Sequence, residues 1–442
     1  MFEEVMADDL LFEGADDPAE SLAEDQPRGR LRLKRANREQ GVMEAVALDD
    51  LIPEDHRARS FWALLEGLDL SGFARGIRSV EGEAGRPALD PRVLLCLWLF
   101  ATSEGIGSAR HLARLCERDA AYRWICGGLR PNAHSLSDFR VAHEQALDDL
   151  LVELLSVLMT SGVVRLKRVA QDGVRVRASA GAASFRRERS LRKCRRAAAQ
   201  QVKATRKQLD KPARDESQRK QAAKARAAKE REARVKQALE ELEKLRREDK
   251  KGRDPEEMRA STTDPEARVM RMADGGYRPA VNVQSVVDTE SRVVVGVSVS
   301  RSGSDLNQIA PMLDRIEERA GRLPEELLVD GGYAKKSQIE EAARRGVAVY
   351  APQSKLRKGD PAKPRWDDGP GVQAWRARMA DVAAGEIYKQ RAATVETVFA
   401  DWRQWRGLKQ MPVRGLGKAH CIALLTALTY NCLRFFELQP PI

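Results

Sequence analysis

Between residues 165 and 351 the chain carries a run of short strand patterns whose order restricts the folds open to it. RLKRVAQDGVRVRA at the start of that span reads as a strand, and strand patterns resume at 277–287 (YRPAVNVQSVV) and 292–300 (RVVVGVSVS). Two short apolar runs follow, 327–330 (LLVD) and 347–351 (VAVYA), with helical periodicity near 305–320 and 335–345 between them. Three strands in succession and then alternating helix and strand predict an α/β sheet with mixed pairing.

Long stretches of other character flank and interrupt this pattern. Residues 1–30 hold ten acids against Arg28 and Arg30, with little periodicity, as a disordered acidic tail does. From about 55 to 162 the periodicity is helical, including LDPRVLLCLWLFAT with Asp90 as N-cap and Pro91 in the first turn. The stretch 108–150 has the proportions of a helix-turn-helix, its second helix opened by Ser135 or Ser137; a plain α-helical hairpin has the same proportions. Residues 181–250 contain 24 Lys and Arg against 11 Asp and Glu, a net +13 against +11 for the whole chain, so the basicity is concentrated there. Val235, Leu239, Leu242 and Leu245 form a short apolar seam at helical spacing, and two antiparallel helices joined near Pro212 fit this segment. It reads either as a solvated charged pair or as a basic arm along a phosphate backbone.

The expected fold class is therefore α/β: an RNase H-like core with an N-terminal helical domain and an inserted basic, coiled-coil-like arm. The expected regions are a disordered acidic then basic tail (1–44), a helical DNA-binding domain (45–162), the first part of the core (163–184), the arm (185–262) and the remainder of the core with C-terminal helices (263–442). The pI near 9.4 favours a polyanionic partner. The apolar runs 93–101 and 421–433 fall short of the ~20 residues of a membrane span. No secretory pattern opens the chain, so a cytoplasmic, nucleoid-associated protein is expected. Its six cysteines show no CxxC pair and no His at ligand spacing, which argues against zinc or a disulfide framework.

Asp172 and Asp330 each read as closing a short apolar strand, and each is followed by Gly. Neighbouring strands that end alike would bring the two carboxylates together, and Glu396, on the border of a helix seated by Val395, Phe399 and Trp402, would make a third. Such a cluster calls for cations, and two Mg²⁺ (or Mn²⁺) ions would also serve phosphodiester chemistry. Tyr388 and Arg403 fall on the Glu396 side of the helix, where Arg can grip phosphate and Tyr can hydrogen-bond it or stack on a base. DGGY occurs twice, at 274–277 and 330–333; Asp330 is chosen because it follows LLV, whereas Asp274 precedes its strand and reads as a turn, with a DNA-contacting role for that loop left open.

Over residues 45–437, through VAQDGVRVRASA, TTDPEARVMRMADGGYRPAVNVQ, LLVDGGYAKKSQI, YKQRAATVETVFADWR and RGLGKAHCIALLTALTYNCLRF, the chain resembles the DDE transposases of bacterial insertion sequences. The group it resembles has a Tyr-Arg-Glu-Lys signature around the last acid and an InsH-like N-terminal domain. The resemblance implies Asp172, Asp330 and Glu396 as the catalytic, metal-binding triad, with Tyr388, Arg391 and Arg403 on the DNA of the element's ends. Two departures stand out: four residues separate Arg391 from Glu396 where the signature has three, and Arg403 stands where Lys is usual. Implied as well are cleavage at terminal inverted repeats, joining of 3′-hydroxyls to target DNA, double-stranded DNA as partner, and a homo-oligomer, most simply a dimer on DNA, with no membrane. An RNase H-like nuclease without strand transfer and an inactive DNA-binding descendant are the alternatives.

Overall fold

Asp90 accepts a hydrogen bond from the Arg92 amide at 2.8 Å and, with Pro91 in the first turn, starts one of the most buried helices of the protein, Pro91–Ser103. In the computed structural model, residues 45–79, 87–209, 215–249, 252, 254–353 and 363–438 are described. The acidic tail and Pro212 lie outside them. Among the described residues seven α-helices precede the sheet: α1 (Arg57–Glu66), α2 (Ser71–Ala74), α3 (Pro91–Ser103), α4 (Ala109–Arg118), α5 (Ala120–Cys126), α6 (Ala133–Ala142) and α7 (Glu144–Thr160). The stretch 108–150 differs from its expected form. Asp119 caps α5 directly after α4, Asn132 rather than a serine opens α6 by accepting from the His134 and Ser135 amides, and the chain bends at His143 before α7. Asn132 takes the cap because it alone precedes the first helical amides with a free side-chain oxygen, so the serines fall inside the helix.

The strands are β1 (Arg168–Arg177), β2 (Phe185–Arg186), β3 (Ala260–Ser261), β4 (Arg268–Arg271), β5 (Tyr277–Asp288), β6 (Val294–Ser300), β7 (Glu326–Leu328) and β8 (Ala348–Tyr350). Six of them form one sheet in the order β4-β5-β1-β7-β8, with β6 also on β5. β1, β5 and β6 pair antiparallel, while β1, β7 and β8 run parallel through the crossover helices α10 (Ile309–Ala320) and α11 (Lys336–Arg344). This mixed order is that of the RNase H-like core expected from the strand patterns.

The charged segment forms α8 (Glu188–Leu209) and α9 (Asp215–Glu248), entered and left beside the two-stranded β2–β3 ladder. Glu188 with Arg246 (2.7 Å) and Gln201 with Arg231 (3.3 Å) show the two helices to be antiparallel. Their seam buries Leu191, Ala198, Ala228, Val235, Ala238 and Leu242, with Leu239 and Leu245 partly covered. Near the base of the arm sits an acid that the charge pattern does not single out. The side chain of Glu241 is only 3% exposed and binds Lys244 (2.8 Å), Arg268 of β4 (2.7 Å) and Arg301 just past β6 (2.8 Å).

Among the described residues four α-helices close the fold: α12 (Pro370–Ala380), α13 (Val382–Arg391), α14 (Thr397–Gln404) and α15 (Leu416–Leu438). By length and composition α15 could cross a membrane, yet two-thirds of its most apolar window is buried inside the protein. It packs on α3, α7 and β6, so one continuous core spans the N-terminal helices and the sheet. All these elements belong to the unit that begins at Ala47.

Candidate active site

β1 and β7 pair in parallel with Arg168 opposite Glu326, Val169 opposite Leu327 and Ala170 opposite Leu328, an offset of 158 residues. Asp172 and Asp330 are separated by that same number, so two further steps along the register set them beside one another. Asp172 does not end its strand, contrary to the expectation from sequence. β1 continues to Arg177 because the twelve-residue β5 goes on pairing with it, and the strand that stops is β7. Asp330 caps a short 3₁₀ turn, Gly331–Tyr333, by accepting from the Gly332 amide at 2.7 Å. Gly173 is likewise not a turn residue. A Cβ there would collide with the Gln284 amide nitrogen and lie 2.8 and 2.9 Å from Asn282 Oδ1 and Asp305 Oδ1, so the glycine admits a close approach of side chains to the strand.

Glu396 closes a five-residue π-helical turn, Ala392–Glu396, set between α13 and α14. An i to i+5 turn absorbs one residue more than an α-turn. Arg391 and Glu396, five apart, are thereby brought onto one side, and the Arg391 fork bridges Glu396 Oε1 (2.9 Å) and Asp172 Oδ2 (3.0 Å). Val395, Val398, Phe399 and Trp402 are buried, and the π-helical turn packs against β1 and β5.

Burial raises the Asp172 carboxyl above the ordinary carboxylate range, against the Gly173 amide and the Arg391 guanidinium, and the Asp330 carboxylate pushes in the same direction. Tyr388, one turn before Arg391, is half-buried; burial raises its phenol, Arg391 opposes that, and Asp330 and Asp172 add to it. Arg403 is exposed two turns beyond Glu396, with no ion-pair partner among the described residues. Two of the acids, Asp172 and Glu396, thus share one guanidinium, while Asp330 acts on Asp172 from the end of β7. Among the described residues no three His, Cys, Asp or Glu side chains are gathered closely enough to hold a metal ion as they stand.

The family model described as Transposase DDE domain matches residues 254–432, and that described as Transposase domain (DUF772) matches residues 46–142. The chain belongs to the DDE transposases. No curated protein matches it. The first match takes in Asp330 and Glu396, whereas Asp172 falls between the two matched segments, so within this transposase its place follows from the strand register.

The candidate site of this transposase also contains residues that the acidic pattern missed. Asp305 accepts from Asn282 Nδ2 and Gln284 Nε2 at 2.7 Å each and from Arg175 at 3.1 Å. The Tyr333 hydroxyl donates to Gln284. Burial, then the Asp305, Asp172 and Asp330 carboxylates, raise the Tyr333 phenol well above its ordinary value, so it stays a neutral donor. Asn and Gln alternating with Val in VNVQSVV were the available signal for this buried polar face. Asp274 lies in the β4–β5 hairpin turn, bonded to the Gly276 amide (3.0 Å) and Arg278 (2.8 Å).

Proposed function

We propose that this transposase cleaves double-stranded DNA at the ends of its element and joins the freed 3′-hydroxyls to target DNA. The observation that carries the reading is the closeness of Asp172 to Asp330, two steps past the last β1–β7 pair and felt electrostatically, with Glu396 linked to Asp172 through Arg391. The donor set is all carboxylate oxygen, which suits a hard divalent ion, and a raised, buried Asp172 beside a second carboxylate is the electrostatic situation that a cation relieves. Asp172, Asp330 and Glu396 would hold Mg²⁺ or Mn²⁺. When bound, a pair of such ions activates a water or 3′-hydroxyl and neutralises charge on the leaving oxygen. The chain's own residues orient the substrate: Arg391 and Arg403 grip phosphates, and Tyr388 hydrogen-bonds one or stacks on a base. The arm, net +13 over residues 181–250, adds sequence-independent phosphate contacts, and holding two ends at once makes a dimer on DNA the simplest assembly.

The test is a labelled duplex carrying the terminal repeat, incubated with Mg²⁺ and scored for nicking and for joined product. Asp172→Asn, Asp330→Asn and Glu396→Gln should each abolish cleavage and leave end binding nearly intact. Cleavage retained in any of them removes that residue from the triad, and nicking without joined product identifies a nuclease instead.

A further inference from the structure

Both terminal nitrogens of Arg391 are committed to catalytic-site carboxylates, NH1 to Asp172 Oδ2 and NH2 to Glu396 Oε1, and its side chain is only 14% exposed. The other oxygen of Asp172, Oδ1, already accepts the Gly173 amide at 2.7 Å. Each oxygen of Asp172 thus already accepts one hydrogen bond, and an ion approaching Oδ2 would sit against the positive charge of the guanidinium held there. A guanidinium has five donors and no acceptor, so it cannot share that oxygen by joining the ion's ligands; it can only be repelled. We infer that Arg391 is a resident counter-ion that keeps the metal position closed, and that a DNA phosphate opens it by taking the guanidinium away.

The inference rests on the reading of Asp172, Asp330 and Glu396 as metal ligands. Three features fit the exchange. The arginine is the residue immediately before the π-helical turn, so its side chain leaves the helix where the backbone is already irregular. Glu396 is 55% exposed, so one end of the bridge faces solvent and can be lost without opening a core. A DNA phosphate offers the planar fork the same bidentate geometry as a carboxylate. Removing the arginine leaves Asp172 buried beside Asp330 with no cation, and an ion then fills the gap. DNA and metal would consequently bind with positive cooperativity, each raising the affinity for the other by one common factor.

The experiment is calorimetric titration of Mn²⁺ into the full chain, with and without a duplex carrying the terminal repeat, for wild type, Arg391→Gln, Arg391→Lys and Asp172→Asn. Without DNA, Arg391→Gln should bind Mn²⁺ about tenfold more tightly than wild type, within the ordinary range of coupling between sites. DNA should tighten Mn²⁺ binding in wild type by a similar factor and barely at all in Arg391→Gln. Arg391→Lys, which keeps the charge but cannot bridge both acids, should fall between. Melting curves should show Arg391→Gln less stable without metal and regaining more on adding Mn²⁺, which separates ion replacement from general misfolding. Equal Mn²⁺ affinity in folded wild type and Arg391→Gln without DNA overturns the counter-ion role while leaving the metal site standing. Affinity unchanged in Asp172→Asn overturns the metal site itself, and the counter-ion role with it.

Discussion

Glu241→Gln removes one negative charge from the base of the arm, and the surrounding structure sets the scale of the effect. The carboxylate is 3% exposed, and its partners Arg268, Arg301 and Lys244 are 13%, 30% and 52% exposed. The exposed lysine contributes little. The two arginines lose a partner they hold in a mostly dehydrated place, and removing one member of a buried ion pair costs about 3–5 kcal/mol, so with Arg301 partly solvated about 3 kcal/mol is expected. α9 runs 34 residues, and Glu241 lies near its C-terminal end, so with a rise of ~1.5 Å per residue the far end of the helix is roughly 40 Å from the anchor. Local loosening at the anchor therefore becomes a large displacement at the tip. Amide hydrogen exchange along α9 should report the loss directly, as faster exchange around residues 235–248 with unchanged protection in β1 and β5. Partners hold the Glu241 carboxyl below the ordinary glutamate value of 4.5 even though burial pushes the other way. The stabilisation is thus fully present above that value and is lost as pH falls through the depressed one, so wild-type α9 should loosen only in stronger acid. Exchange in Glu241→Gln that matches wild type to within about 0.5 kcal/mol would refute the claim that this cluster pins the arm.

Asp274→Asn should keep Mg²⁺-dependent end cleavage within about tenfold of wild type, whereas Asp330→Asn should eliminate it; the reverse would mean that the hairpin copy of DGGY is the catalytic one. Replacing ~4 Lys or Arg of the arm by Gln should weaken binding to any duplex and flatten the plot of log affinity against log salt by roughly 0.9 per lost phosphate contact, and an unchanged slope would show a solvated arm. Gly173→Ala forces a methyl against Gln284, Asn282 and Asp305, and overpacking of this kind costs about 1–3 kcal/mol, so a lowered melting temperature together with reduced cleavage is expected. A melting temperature equal to wild type would show that the network can shift aside.

Much of the core was legible because its physics is local. Alternating Val with Asn and Gln marks β5, β-branched runs mark β6, and the separation of Asp172 from Asp330 is itself the parallel register of β1 on β7. What stayed hidden depends on partners far away in the chain. Whether Asp172 ends a strand is decided by the length of β5, not by its own neighbours. The role of Gly173 depends on side chains more than a hundred positions later. In sequence the extra residue between Arg391 and Glu396 is only a departure from the signature, whereas in three dimensions the π-helical turn returns the two to one side. Glu241 resembles any other acid of a charged helix until Arg268 and Arg301 fold against it.

The placement of α15 has a consequence for how the chain is made. α3 and α7 emerge from the ribosome early, yet the helix that covers them begins at Leu416, some 256 residues after α7 ends at Thr160. At ~5–20 residues per second the interval is roughly 10–50 s, far longer than helices need to form. Throughout it the apolar surface facing α15 has no native cover, and β6 then waits for the same helix. Nascent N-terminal helices are therefore a segment in need of a holding chaperone, and ribosome-stalled chains ending before residue 416 should be captured by one far more than full-length chains released from the ribosome.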